Sequence, residues 1–398
     1  MKIAPFWAVL CFAASFAAIA PAASGQAPLT VASDGSLLRN GARYRAIGVN
    51  YSDAFERVLL NPADTSYNKG FAALRAAGIP FARFMATGFW PKELKEFQTN
   101  RSAYLAKLDG VIRSAEQNGI GLIPSLFWSD FAAPDLVGEP RSAWGDPNSR
   151  TVAFMKEYTT TLVQRYNNSP AIWAWEFGNE YSLQADLPNA ADWRPPIVPQ
   201  LGTPSSRSAA DDLSSSMLIV AFTQFAETVR ASDGIRPITS GNSLPRNYAE
   251  DIRAGNAWNH LDTLEAFDHN IALMNPPPLD MVSVHIYADD LKQERFVPGH
   301  LPTADELIGA SVNAARKQRM ATFLGEFGAN DVTEGATEAR RIHEAFLQSI
   351  VTNDVDLAAV WVFDRVVTND AGWNITPKNS RSYLLDLIRQ ANQKIATQ

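Results

Sequence analysis

Two glutamates stand in runs of the chain that otherwise read as buried strand. Glu180 closes Trp175-Glu176-Phe177-Gly178-Asn179-Glu180, and Glu326 lies in Phe323-Leu324-Gly325-Glu326-Phe327-Gly328. A carboxylate in apolar surroundings is costly unless it is paired or takes part in chemistry. Strand side chains alternate, so Glu176, Gly178 and Glu180 share a face, with Glu176 ~13 Å below Glu180 at ~3.3 Å per residue. Arg83, in another apolar run, is the expected partner of Glu176. Glu180 and Glu326 then remain as two carboxyl groups that could face each other across a cleft. Such a pair suits cleavage of a glycosidic bond: one carboxyl protonates the leaving oxygen, and the other attacks the anomeric carbon or activates water.

Carboxylates this far apart in sequence must be brought together by the fold. Eight short apolar, β-rich runs occur at 45–51, 81–89, 121–128, 171–180, 236–243, 281–288, 321–329 and 358–364. They are nearly continuous in hydrophobicity, as strands of a parallel sheet covered on both faces should be. Helical patterns alternate with them at 68–77, 104–118, 151–166, 214–232, 304–318, 337–353 and 382–394, with a less regular one over 247–272. The alternation predicts an α/β fold, a (β/α)8 TIM barrel. A doubly wound sheet would want a glycine-rich phosphate turn after an early strand, whereas the first run ends in Gly48-Val49-Asn50-Tyr51. Ahead of the barrel, Asp34-Gly35 and Asn40-Gly41 are turn dipeptides, and a short N-terminal β-hairpin closing the barrel floor is expected. The surplus length falls in long βα loops, the longest being 181–213.

In a barrel the active site is built from the C-terminal strand ends. Those ends carry Arg83, Asn179, Glu180, His285, Tyr287, Glu326 and Trp361. The chain has ten Trp. Of these, Trp90, Trp128, Trp144, Trp193, Trp361 and Trp373 fall on strand ends or the loops that follow, where an indole could stack on the C–H face of a sugar. Trp173 and Trp175 belong to a strand, and Trp258 reads as packing.

Other classes fit less well. The chain has 398 residues, is 46% hydrophobic and carries a net charge of -7, which describes a globular protein without the basic face of a nucleic-acid binder. Its five His, at 260, 269, 285, 300 and 343, show no metal-ligand spacing, so no metal and no cofactor are expected. Ser240-Gly241-Asn242-Ser243 is not the elbow of a serine hydrolase. Residues 1–27 have a lysine, a long apolar run and a small-residue tail, the pattern of a secretory signal peptide. The only Cys, Cys11, lies within it. The expectation is one catalytic domain over 28–398, secreted to the periplasm or beyond, monomeric and not held to a membrane once the signal is removed.

At the strand ends the sequence resembles the retaining (β/α)8 glycoside hydrolases, most closely glycoside hydrolase family 5, which contains cellulases and β-mannanases. The carrying segments are Trp175 to Glu180, Val284-His285-Ile286-Tyr287, Leu324 to Gly328 and Trp361-Val362-Phe363, with a mannanase-like opening from Asn40-Gly41 to Tyr51. The resemblance implies Glu180 as general acid/base and Glu326 as nucleophile. It implies that Asn179 binds the sugar 2-hydroxyl, that Arg83 keeps the nucleophile charged and that Tyr287 donates to Glu326. His285 would line the mouth near the acid/base, and Trp361 would form the sugar platform. Two positions depart from the common pattern: the third run ends in Phe127-Trp128 without a His, and Tyr181 rather than Pro follows the acid/base. The implied substrate is a β-1,4-linked polysaccharide or oligosaccharide, with endo-acting cleavage of mannan first. Endo-β-1,4-glucanase, an exo-acting β-glycosidase and an inactive polysaccharide-binding barrel are the alternatives.

Overall fold

The computed structural model describes residues 27–368 and 370–398; the expected signal segment, with Cys11, lies outside them apart from Ala27. Three short strands come first: β1 (Leu29–Val31), β2 (Leu37–Arg39) and β3 (Ala42–Arg43), paired antiparallel in that order. Where the sequence predicts one hairpin there are two turns in succession, one at Asp34-Gly35 and one at Asn40-Gly41. Asn40 and Gly41 in the second have φ of +54° and +75°, as a tight hairpin turn requires.

Eight parallel strands then close into a barrel in sequence order, as the alternation predicts. They are β4 (Ala46–Asn50), β5 (Phe81–Met85), β6 (Gly121–Phe127), β7 (Trp175–Gly178), β8 (Ile238–Thr239), β9 (Met281–Tyr287), β10 (Ala321–Gly328) and β11 (Leu357–Val360). Several are shorter than the apolar runs that announce them, β7 and β8 most of all. Hydrophobicity reports burial, and residues beyond the hydrogen-bonded ladder are buried as well. Helices flank each strand close to the expected ranges, among them Arg101–Asn118, Arg150–Tyr166, Ser215–Arg230 and Ala336–Thr352. The sequence pattern does not single out Pro91–Thr99, a helix with proline in its first turn. Among the described residues no helix is long and apolar enough to cross a membrane.

Alternation divides the core. Outward side chains of the strands join the helices in one large apolar layer. Inward side chains at the N-terminal ends, among them Phe81, Ile123, Trp173 and Phe323, form a second cluster with Leu29 and Leu37 of the small sheet, which plugs the floor. Arg39 is sandwiched there, its guanidinium 3.9 Å from the rings of both Tyr44 and Trp173. With the bottom filled by apolar packing, the polar inward residues collect at the top.

Two long connections shape that top. The 181–213 loop is tied down by Arg207 to Asp135 at 2.6 Å and by Arg194 to Asp212 at 2.6 Å. Its turn at Pro199–Leu201 packs on the helix Pro91–Thr99. After β11 the chain passes a cis peptide at Trp361–Val362 and crosses to β4, where Phe363 N donates to Asn50 O at 2.8 Å.

Candidate active site

Arg83 projects inward from β5 and is fully buried. Each face of its guanidinium fork is used. Nε donates to both oxygens of Glu176 at 2.8 and 3.0 Å, Nη1 to Glu326 Oε1 at 2.6 Å and to Asn50 Oδ1 at 3.1 Å, and Nη2 to Asn179 Oδ1 at 2.7 Å. The ring of Trp128 lies 4.6 Å above it. Glu176 is therefore paired with Arg83 inside the barrel, where burial pushes its carboxyl up to about 7 against the pull of that guanidinium.

Glu326 reaches this hub through a break in alternation. Phe323 points into the barrel floor and Leu324 into the helical layer, so strict alternation would turn Glu326 outward. The register against β9 shifts between Leu324, which faces Val284, and Glu326, which faces His285. Gly325 is the extra residue of a β-bulge, a device that re-aims a side chain. The bulge is held by Asn50 Nδ2, which donates to Gly325 O at 2.9 Å. A Cβ on Gly325 would lie 2.7 Å from His285 Nε2, so the ring position requires glycine.

β9 keeps its phase and sends Ser283, His285 and Tyr287 inward. The Tyr287 hydroxyl donates to Glu326 Oε2. Burial, with Glu326 and Glu180 nearby, holds the phenol far above its ordinary range, so it stays a donor. His285 Nδ1 lies 2.9 Å from Glu180 Oε1 and 3.7 Å from Glu326 Oε2. Burial lowers the imidazole to about 3, with Glu326 opposing and Arg83 assisting, so the ring is neutral at ordinary pH.

Glu180 lies just past β7 in a left-handed backbone conformation, φ +57°. Such a φ is uncommon for a residue with a side chain and clusters at functional sites. Its side chain is 29% exposed at the mouth. Burial of its surroundings raises its pKa, opposed by Arg83 and by the Ser243 hydroxyl. Glu180, His285 and Glu326 each offer an atom within 4.8 Å of the other two. That spacing could also accommodate a divalent cation, a cluster invisible in the linear spacing of the histidines. Both Glu326 oxygens, however, already accept from Arg83 and Tyr287.

Above these groups opens a cavity of about 690 Å³. Trp128, Trp361 and Trp373 line it, as their positions after β6 and β11 predict. The other tryptophans correct the sequence reading. Trp144 is wholly buried, its Nε1 donating to Asp130 O at 2.7 Å, so it is core. Trp90 packs on Phe89 and Phe131 at the start of the helix Pro91–Thr99, away from the cavity wall. Trp193 is exposed on the long loop, 5.1 Å from the Arg246 guanidinium, and is not among the residues lining the cavity. Trp258, read from sequence as packing, is 40% exposed and lines the cavity. Asn50 ends the first strand, where the sequence places it without a role; the fold sets it between Arg83 and the bulge.

Residues 52–364 match the family model described as cellulase, glycosyl hydrolase family 5. The chain belongs to glycoside hydrolase family 5. Mannan endo-1,4-beta-mannosidase A of Podospora anserina is 43% identical over 82 residues, which are 19% of this chain and 22% of that protein. The match thus spans about a fifth of that relative's length. Among solved structures, the endo-1,4-beta-mannanase of Rhizomucor miehei superposes with a TM-score of 0.65 at 14% identity, covering 94% of this chain and all 100% of that one. A family 5 mannosidase of the same organism gives 0.66 at 12% identity, covering 94% and 99%. These two likenesses establish the shared barrel fold.

Proposed function

We propose that this family 5 protein hydrolyses β-1,4-linked mannosides by double displacement with retention, with Glu326 as nucleophile and Glu180 as acid/base. The observation that carries the reading is the placement of the two carboxyls. A Glu180 oxygen and a Glu326 oxygen lie within 4.8 Å of each other beneath an aromatic cavity. Retaining glycosidases hold their carboxyl groups about 5–5.5 Å apart, whereas inverting ones need roughly 6.5–9.5 Å to admit a water.

In the first step a Glu326 oxygen attacks the anomeric carbon. The bond from that carbon to the bridging oxygen breaks, and the Glu180 proton passes to the departing oxygen. In the second step water gives a proton to Glu180 and its hydroxyl to the anomeric carbon, which releases Glu326. The raised pKa of Glu180 keeps it protonated to higher pH than an ordinary carboxyl, as a proton donor needs. Arg83 and Tyr287 hold Glu326 from two sides and fix its attacking geometry. Asn179, anchored by Arg83, is placed to meet a sugar hydroxyl, and Trp361 supplies the stacking face.

The mannan preference rests on the mannanase-like opening of the chain and on the Podospora relative named above. β-Glucan is the second reading. Export after cleavage of residues 1–27 is part of the proposal, since a polymeric glycan is met outside the cell. The test is release of reducing sugar from mannan, cellulose, xylan and mixed-linkage glucan, with Glu180→Ala as control. Release from mannan above the others is expected. Release from none would leave a non-catalytic binding barrel, and preferential release from cellulose would move the substrate to β-glucan.

A further inference from the structure

The cavity is lined unevenly around the barrel mouth. Its wall comes from β6 to β11 and the loops after them; among the described residues it takes nothing from the segments after β4 and β5. Directly after β4, Tyr51, Asp53, Ala54 and Phe55 are completely buried. The cover over β4 is the strap that follows β11. Val366 N and Val367 N donate to Asp53 Oδ2 at 2.7 and 3.1 Å, and Arg57 pairs with Asp364 at 3.3 Å. After β5, the helix Pro91–Thr99 carries the turn Pro199–Leu201 of the 181–213 loop. Trp128 and Trp361 stand nearly parallel at this end with ring centroids 6.3 Å apart. A sugar ring between two aromatic faces needs ~3.5–4 Å on each side, so none passes between them.

The opposite side differs. Beyond Glu180 the wall is formed by the loop after β8, with Arg246, Tyr248 and Trp258. Trp258 keeps an exposed face and is braced by Tyr248 at 6.3 Å and by the Arg246 guanidinium at 5.4 Å. Arg246 donates to Leu183 O at 2.9 Å through Nε. Because the acid/base protonates the departing oxygen, the departing part of the glycan lies on the Glu180 side.

We propose that the site works from the non-reducing end of its glycan. The terminal sugar sits in the blind end against Trp128 and Trp361, and the rest of the chain leaves over Trp258 and Arg246. This rests on the glycosidase reading of Glu180 and Glu326. The superpositions do not separate the two modes, since an endo-mannanase and a mannosidase of Rhizomucor miehei fit almost equally well, at 0.65 and 0.66.

The test uses the full protein on reducing-end-labelled mannohexaose and cellohexaose, with early products separated by mass. The expected first products are a free monosaccharide and the labelled pentamer. Labelled di- and trisaccharide appearing first would overturn end action. End-first cleavage of cellohexaose alone would support end action while overturning the mannan reading. No cleavage of either series would overturn both. As a second arm, Trp258→Ala should lower the ratio of kcat/KM for the hexamer to that for an aryl β-mannoside by about threefold to tenfold, the size of one stacking contact. An equal fall on both substrates, or an unchanged ratio, would contradict the proposed chain path.

Discussion

At the scale of single residues, one guanidinium organises the site. Arg83 contacts Glu176, Glu326, Asn179 and Asn50 at once, so its loss frees four groups in a buried space. Replacement of Arg83 by Lys keeps the charge and gives up the fork; kcat should fall with little change in KM. Tyr287→Phe removes one donor to a charged acceptor, about 1.5–3 kcal/mol. Activity should fall by about tenfold to a hundredfold, measured as kcat on an aryl β-mannoside; wild-type kcat would show that the hydroxyl does not position Glu326. With Glu180 as the proposed proton donor, its raised pKa should set the alkaline limb of the pH–rate profile above the ordinary carboxyl range. Glu180→Gln should abolish that limb and reduce kcat by about 10²–10⁴-fold. His285, neutral down to about 3, should contribute no limb between pH 5 and 8. The types and strand-end positions of Glu180, Glu326, Tyr287 and His285 were legible in the sequence. The roles of Trp144, Trp90 and Trp258 were not, because a tryptophan on a loop gives no sign of which way its ring turns.

At the scale of elements, the bulge in β10 turns Glu326 into the candidate site. Period-two reading of Phe323 to Glu326 turns the carboxylate outward, and only the register shift against β9 turns it in. No composition rule signals that shift beyond the glycine itself. Gly325→Ala would place a methyl group 2.7 Å from His285 Nε2. It should cost about 1–3 kcal/mol of stability, as overpacking does, and should reduce kcat further than the stability loss explains. Thermal unfolding and kinetics on the same preparation test this; a variant with unchanged kcat would show that the bulge does not aim Glu326. The lengths of β7 and β8 were overestimated for a related reason: the sequence reports which residues are dry, while strand bounds depend on which backbone groups find partners.

At the scale of the whole molecule, the barrel separates an apolar floor from a polar mouth, and its buried ionisable groups link stability to pH. His343 is fully buried between Ala339 O at 2.6 Å and Ala329 N at 3.3 Å, and burial lowers it to about 4. Below about pH 6.5 the unfolded chain takes up a proton that the folded chain resists, so stability falls as pH drops toward 4. Buried carboxyls such as Glu56, raised to about 8, act with the opposite sign, their stabilisation being lost as pH rises through that value. Comparing wild type with His343→Gln isolates the histidine. The stability difference between them should shift in the variant's favour by on the order of 2–3 kcal/mol between pH 7 and pH 4, read from denaturant unfolding; a pH-independent difference would contradict it. The order of all eight barrel strands was legible because each strand is a separate apolar run. The uneven lining of the mouth was not, since it depends on where two loops land.

The central claim is that Glu326 forms a covalent bond to the sugar while Glu180 handles the proton. Incubation with a 2-deoxy-2-fluoro-β-mannosyl fluoride, followed by proteolysis and mass spectrometry, tests it most directly. One fluorosugar is expected on the peptide containing Glu326 in the wild type, and none in Glu326→Gln. A label on another residue, or turnover of this probe without any covalent adduct and with an inverted first product, would contradict it.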